Sequence, residues 1–470
     1  ALRAPLTLPL VALGIWSLAL APTVEFPWRS LLGPPQTGQG VLALFAWAAI
    51  AAAIAACAGP RARAILAWLV AAGAVAASLT HFLPEPWRPF EVPGYFAWLG
   101  IAAFGALAAL GTRGAFRVGL GVLIVSLAVS ENRSAIGIVL GLGVPLYFAA
   151  RACGASAWLR PAGALLAVLL APLATAAVWL AGRNGFGASI EARARINDVM
   201  TAAFADRPSS LLFGQGWGGS VEALFRHLPS GADRLYGDSW DVPVRDFHSA
   251  HSLVLEFWVS AGLPGLALAL ALPALVVARA RTRDLPLAIA FAAVFATLSV
   301  LWHQQSFNLG PTIVALCALA GKPWNTKECA GSRIVSIGGS FAISAALLGA
   351  AIWLGQYGWR AHVARASPGA CLDGFPADPG RGDLGLRYAI YGYTAPILHG
   401  RQTPDSARIA ALVCAVDRAL AARPSVHTAL AAVIYRSEAF AVPALRPDGA
   451  TFDAIAAGWR PALETLLGLA

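Results

Sequence analysis

Apolar stretches recur along this chain, most of them separated only by brief polar links. A helix needs about 20 mostly apolar residues to cross a bilayer, with a range of roughly 17–25. Eleven runs meet or approach that length, near 5–22, 39–58, 64–82, 94–110, 118–131, 134–150, 162–181, 252–278, 285–302, 307–320 and 334–356. The fifth and the tenth are short. The pattern predicts an all-α, polytopic membrane protein with about 11 transmembrane helices. No small-residue cleavage site follows the first run, which predicts a retained helix.

Two longer intervals break this rhythm, 182–250 and 357–470. Between Ser189 and Asp206 the apolar residues Ile196, Val199, Met200 and Ala203 recur at helical spacing, which predicts an amphipathic helix ended by Arg207-Pro208. From Ser209 to Asp246, glycines, aromatics and charges of both signs predict an ordered lid or loop. In the last interval Thr403-Pro404 opens a helix that ends before Pro424, and further helical stretches follow near 425–440 and 451–467. The expected organisation is a transmembrane domain over 1–356, including the loop 182–250, and a small helical tail over 357–470.

Composition supports the membrane assignment. The chain has 470 residues, 58% apolar and 12% charged, with a mean hydropathy of +0.66. Soluble domains carry about 25% charged residues. Too few charges are present here to cover the two to four domains that roughly this length would need in water. Disorder, which pairs low hydropathy with high charge, is excluded as well. The net charge of +10 is no sign of nucleic-acid binding, because the arginines mostly sit singly between apolar runs and form no basic motif.

Those arginines report orientation instead. With the first residues inside, the inner links hold Arg3, Arg61, Arg63, Arg113, Arg117, Arg151, Arg160, Arg279, Arg281, Arg283, Lys322, Lys327 and Arg333. The short outer links hold only Arg29, Arg88 and Arg133. The loop 182–250 and the tail then both fall outside. Cys371 and Cys414 are the two cysteines of that outer tail and are expected to form a disulfide, since the compartment is oxidising; two buried thiols are the alternative.

Three positions on the outer side carry chemistry. Glu131 and Arg133, in Ser130-Glu131-Asn132-Arg133-Ser134, interrupt a long apolar stretch where two helices meet. Charge at membrane depth is costly and is kept for function or pairing; a turn with a snorkelling or ion-paired Arg133 is the plainer reading. Arg193 and Arg195 lie on the amphipathic helix and suit a phosphate or diphosphate, although Glu191 and Asp198 are spaced to pair with Arg195. Phe247-His248-Ser249-Ala250-His251-Ser252 leads into the eighth run. A histidine at that boundary exchanges protons near neutral pH, as a general base must; capping or packing is the plainer role. Asp246 beside the two histidines gives a weak zinc pattern with no cysteine near it, so no metal is expected. Gly214-Gln215-Gly216-Trp217-Gly218-Gly219 lacks the Lys and Ser/Thr of a phosphate loop and reads as a turn.

In their order these features resemble the superfamily of O-antigen ligases, O-antigen polymerases and bacterial O-oligosaccharyltransferases. The resemblance joins Ser130 to Ser134, with Arg133 as the motif arginine, to Arg195 through Phe204, Pro208 and Gly214-Gln215-Gly216. It continues in His251-Ser252-Leu253-Val254-Leu255-Glu256 and Gly262-Leu263-Pro264-Gly265. The chain departs from the family pattern at Asn132, at Ser252 where Asn is common, and at Ala261 where an acid is common. The similarity covers about 118–275 in detail, and the tail has no counterpart.

The resemblance implies transfer of a glycan from undecaprenyl diphosphate to an acceptor hydroxyl at the periplasmic face of a bacterial inner membrane, with the loop 182–250 and the tail periplasmic, and without metal, nucleotide or other cofactor. It implies His251 as general base and Arg133 and Arg195 as diphosphate ligands, with Arg193, Arg245, His248 and Glu256 as secondary candidates. The implied partners are the lipid-linked donor, membrane lipid, and a lipid A core or glycan acceptor; no nucleic acid is expected. The outer-loop pattern is most similar to the ligases, with polymerase and protein transferase as alternatives. A transporter or flippase for lipid-linked sugars is the alternative of another class. It predicts repeats and broken helices, for which the sequence gives no clear sign.

Overall fold

A computed structural model describes residues 6–24, 30–31, 40–57, 60–82, 94–130, 132–154, 156–184, 188–220, 252–301 and 306–320, and six helical positions between 409 and 417. Every element among them is helical. In chain order they are α1 (Thr7–Leu20), α2 (Val41–Cys57), α3 (Pro60–Leu79), α4 (Gly94–Ala108), α5 (Arg113–Ser130), α6 (Arg133–Ala152), α7 (Leu159–Arg183), α8 (Ala188–Asp206), α9 (Ser209–Phe213), α10 (Leu253–Arg279), α11 (Leu285–Leu301) and α12 (Ser306–Leu319). Ten of the eleven apolar runs are thus helices. The eleventh, 334–356, lies outside the described residues, as do the stretches expected near 425–440 and 451–467. Five of the ten, α5, α6, α7, α10 and α11 (the last with its short lead-in from Thr282), are long and apolar enough to cross a membrane.

The chain divides into two compact units. The first holds 1–197, 207–220 and 249–347; the second holds 198–206, 221–248 and 348–470. In the second unit Val199, Met200, Ala203, Phe204, Ile409, Val413 and Val416 are buried. Cys414 is disulfide-bonded; its expected partner, Cys371, lies outside the described residues.

Within the first unit the helices alternate in direction. A Cβ at Gly119 of α5 would lie 3.2 Å from Leu107 of α4, and Gly100 of α4 abuts Ser126 of α5, so these helices run antiparallel. Ser78 of α3 meets Ser126 through their hydroxyls at 3.2 Å, which puts the end of α3 beside the end of α5. Gly163 of α7 lies against Ile289 of α11 and Val277 of α10. Arg160 donates to Ala278 and Ala280 at 2.9 and 2.7 Å, and Gly111 lies against Arg283. One end of the bundle therefore collects Arg61, Arg63, Arg113, Arg117, Arg151, Arg160, Arg279, Arg281 and Arg283. Seven of these stand in the helices themselves and not in the links expected to hold them. A long arginine stem continues a helix while its head reaches water, so polar residues make a poor marker of where a span begins. For that reason α5 starts at Arg113, five residues before the run read from the sequence.

Two helices are irregular. In α6 the stretch Val139–Gly143 is a π-turn. In α10, Gly262 has φ 66° and ψ −151°, and Pro264 cannot donate, so the 27-residue helix is broken there. Val277 and Ile289 share a level at Gly163. Going 12 residues from each, about 18 Å along a helix, reaches Gly265 and Leu301 at the same end of the bundle. Residues 253–261 therefore do not lengthen the span; they fold back at that end, with the Phe257 carbonyl against Gly265. This corrects the expectation of one continuous helix over 252–278. The sequence hides such a break, because Gly262-Leu263-Pro264-Gly265 is itself apolar and so are Ala261 and Leu266 on either side of it.

Candidate active site at one end of the bundle

A break in a membrane helix frees backbone groups that must find partners inside the protein. Here Val259, Ser260 and Ala261 lose their helical donors at Gly262–Pro264. The glycine turn replaces two of them. Gln215 N–H donates to Val259 at 2.6 Å and Gly216 N–H to Ser260 at 3.0 Å. The third is answered by the Trp16 indole, which donates to Ala261 at 3.0 Å. The approach is main chain to main chain: a Cβ at Gly214 would lie 2.6 Å from Ser260 and Gly262, and Gly262 abuts the Leu212 carbonyl. Gly214, Gly216 and Gly218 have φ of 80, 83 and 89°, a region costly for any side chain. The turn read from the sequence is thus the plug of the broken helix, and the N–H groups of Gly214, Gln215, Gly216, Trp217 and Gly219 are spent on protein acceptors.

Below the plug, Trp217 is buried edge-on against Phe257, at 5.2 Å between ring centroids. Its indole donates to Ser17 at 3.1 Å and its N–H to Ser30 at 3.3 Å. Phe213 stacks on Trp16. Glu256 is buried and accepts from Ser220 at 2.9 Å, so its carboxylate holds the far end of the glycine segment to α10. Ser260 reaches the same oxygen at 3.5 Å. As a secondary site candidate, Glu256 is an internal tether, away from solvent.

The entry to α10 is tied down as well. Ser252 caps the helix by accepting from Leu255 N–H at 3.3 Å, and its hydroxyl donates to the Ser299 carbonyl at 3.3 Å. Two residues further along α11, the Leu301 carbonyl accepts from Arg193 Nε at 2.9 Å. Arg193 is half-buried in the first unit and satisfies the end of α11, where last-turn carbonyls lack helical donors. Arg133 is exposed at the first position of α6, after Asn132, whose Oδ1 caps the helix by accepting from Ala135 N–H at 3.0 Å. Arg195 lies on α8, as its place on the amphipathic stretch predicts, seven residues past the helix start; its side chain is outside the described set. Glu131, Arg245, His248 and His251 also lie outside the described residues.

The structure therefore brings together Ser252, Arg193 and Glu256 with the two glycine motifs, at the end of the bundle opposite the arginine-rich one. Arg133 is at that same end, since α5 and α6 turn there. Sequence reasoning missed the indoles of Trp16 and Trp217 and the hydroxyls of Ser17, Ser30 and Ser299. Their partners are remote in the chain, and a lone serine or tryptophan in an apolar run gives no signal. No protein-family model and no curated protein matches the chain, so the resemblance stands on the motifs alone.

Proposed function

We propose that this chain is a membrane glycosyltransferase of the O-antigen ligase type, transferring a glycan from undecaprenyl diphosphate to an acceptor hydroxyl. One observation carries the reading: Gly214-Gln215-Gly216 and Gly262-Leu263-Pro264-Gly265, two separate elements of the resemblance, are one backbone joint. A joint explains why both should occur in one chain, and it puts the residue after His251 at the same end of the bundle as Arg133. In the proposed step His251 takes the proton of the acceptor hydroxyl. The acceptor oxygen bonds to the anomeric carbon as that carbon's bond to the diphosphate breaks, and the diphosphate leaves with the electron pair. Arg133 and Arg195 meet the charge growing on it. The arginine-rich end faces the cytoplasm. The disulfide at Cys414 fits an outer tail, since disulfides persist in oxidising compartments.

The broken α10 favours one other reading, a transporter, in which such breaks expose carbonyls to a substrate or ion. In this chain the three freed carbonyls are taken by Gln215, Gly216 and Trp16, which weighs against it. The deciding experiment combines the purified protein with lipid-linked glycan extracted from a deletion strain and with lipid A core. Glycan-modified core is expected. Uptake of the lipid-linked glycan into proteoliposomes without any transfer product would overturn the reading in favour of transport. The glycan profile of the deletion strain separates the subtypes: uncapped lipopolysaccharide with carrier-linked polymer for a ligase, single capped repeats for a polymerase, unglycosylated proteins for a protein transferase.

A further inference from the structure

Among the described residues, Asn132 Nδ2 has no hydrogen-bond partner where α5 and α6 turn, and beneath this end of the bundle Trp98 Nε1 and Ser299 Oγ stand without one as well, at 1% and 2% exposure. The latter two share one neighbourhood. Trp98 meets Phe295 edge-on, at 5.8 Å between ring centroids, and Ser299 is one turn beyond Phe295 on the same face of α11. The register agrees. Gly105 of α4 lies against Phe291; from there Trp98 is about 10 Å towards the helix ends along α4, and Ser299 about 12 Å along α11. Ser299 is two residues short of the end of α11, its carbonyl holds Ser252, and the next carbonyl but one holds Arg193. The pair thus lies directly under the candidate site, where an unpaired donor is costly unless something brings it an acceptor.

Resting on the function proposed above, we infer that Trp98 and Ser299 form the floor of the donor subsite and read a hydroxyl or ring oxygen of the sugar next to the diphosphate. Both donors are uncharged, as suits an uncharged sugar oxygen, and the indole offers an apolar flank to sugar C–H groups. The test uses Trp98→Phe, Ser299→Ala and Ser299→Thr in the full chain, with lipid-linked glycan from the deletion strain and with undecprenyl diphosphate lacking sugar as probes. For Trp98→Phe and Ser299→Ala, an affinity about three- to tenfold weaker and a KM raised by about the same factor are expected for the glycan-bearing donor, the worth of one neutral hydrogen bond. Binding of the sugar-free lipid stays at the wild-type level, and Ser299→Thr, which keeps the hydroxyl, restores the donor KM.

Variants that bind and turn over the donor like wild type, with raised thermal stability, would mean idle core groups and overturn the inference while leaving the function standing. Equal weakening towards sugar-free lipid would assign the pair to the diphosphate, and a change confined to the acceptor KM would assign it to the acceptor; either overturns the sugar reading. A wild-type chain that neither binds the donor nor transfers glycan would overturn the proposed function itself.

Discussion

The two ends of the bundle are built on different principles. At one end, nine arginines stand on or beside helix termini. Those whose contacts are described reach a carbonyl, a hydroxyl or a neighbouring acid: Arg160 at Ala278 and Ala280, Arg151 at Tyr147, and Arg283 at Asp284. At the other end the polar groups are buried and chained together across the sequence: Ser252 to Ser299, Ser220 to Glu256, Trp217 to Ser17 and Ser30. The contrast teaches that charge count and chemical content are separate. One end carries a cluster of arginines, and the other carries buried polar contacts that must each be satisfied by a particular partner.

Substitutions should divide along that contrast. The largest effect is expected at His251: His251→Ala lowers transfer roughly 10²- to 10⁴-fold with the protein level unchanged, measured as glycan transferred per unit of protein in membranes. Wild-type turnover would remove the base from the proposed site. Next is the joint. Gly262→Ala places a Cβ against the Leu212 carbonyl at a φ of 66°. It should cost roughly 1–3 kcal/mol of backbone strain even before the clash, read as earlier thermal inactivation in detergent. Smaller again is Glu256→Ala, which strips the buried hydroxyl of Ser220 of its acceptor at about 1–3 kcal/mol. Glu256→Gln keeps an acceptor oxygen and should recover most of that stability. The smallest effect belongs to the other end: exposed Arg117→Gln should change stability by less than about 0.5 kcal/mol and leave turnover unaltered. A drop in transfer there would dissolve the distinction between the two ends.

Much of this architecture was legible in the sequence, for identifiable reasons. Apolar runs name helices because a span has few other ways to satisfy its backbone, and Ile196, Val199, Met200 and Ala203 gave away α8 by their spacing. The break at Gly262 was hidden, since Gly-Leu-Pro-Gly sits within a long, mostly apolar run. Arg193 looked like a phosphate ligand by its company, and its contact with Leu301 depends on a residue 108 positions away. Trp16 illustrates the same limit: nothing near it in the chain hints that its indole completes a helix 245 residues on. Long-range satisfaction of polar groups belongs to the fold, and only the fold displays it.

The π-turn at Val139–Gly143 has a consequence of another kind. An α-helix is a screw of fixed pitch, and one surplus residue in its thread advances everything beyond it by about 100°. The stretch Val144–Ala152 is therefore indexed differently against its neighbours than its distance from Arg133 would give. The two halves of this helix can be tuned separately, like the two scales of a vernier. Excising a single residue between 139 and 143 would restore the regular thread with Arg133 and the half that ends at Ala152 both in their present seats, whereas a residue inserted outside the π-turn would rotate one half against the other by about 100°.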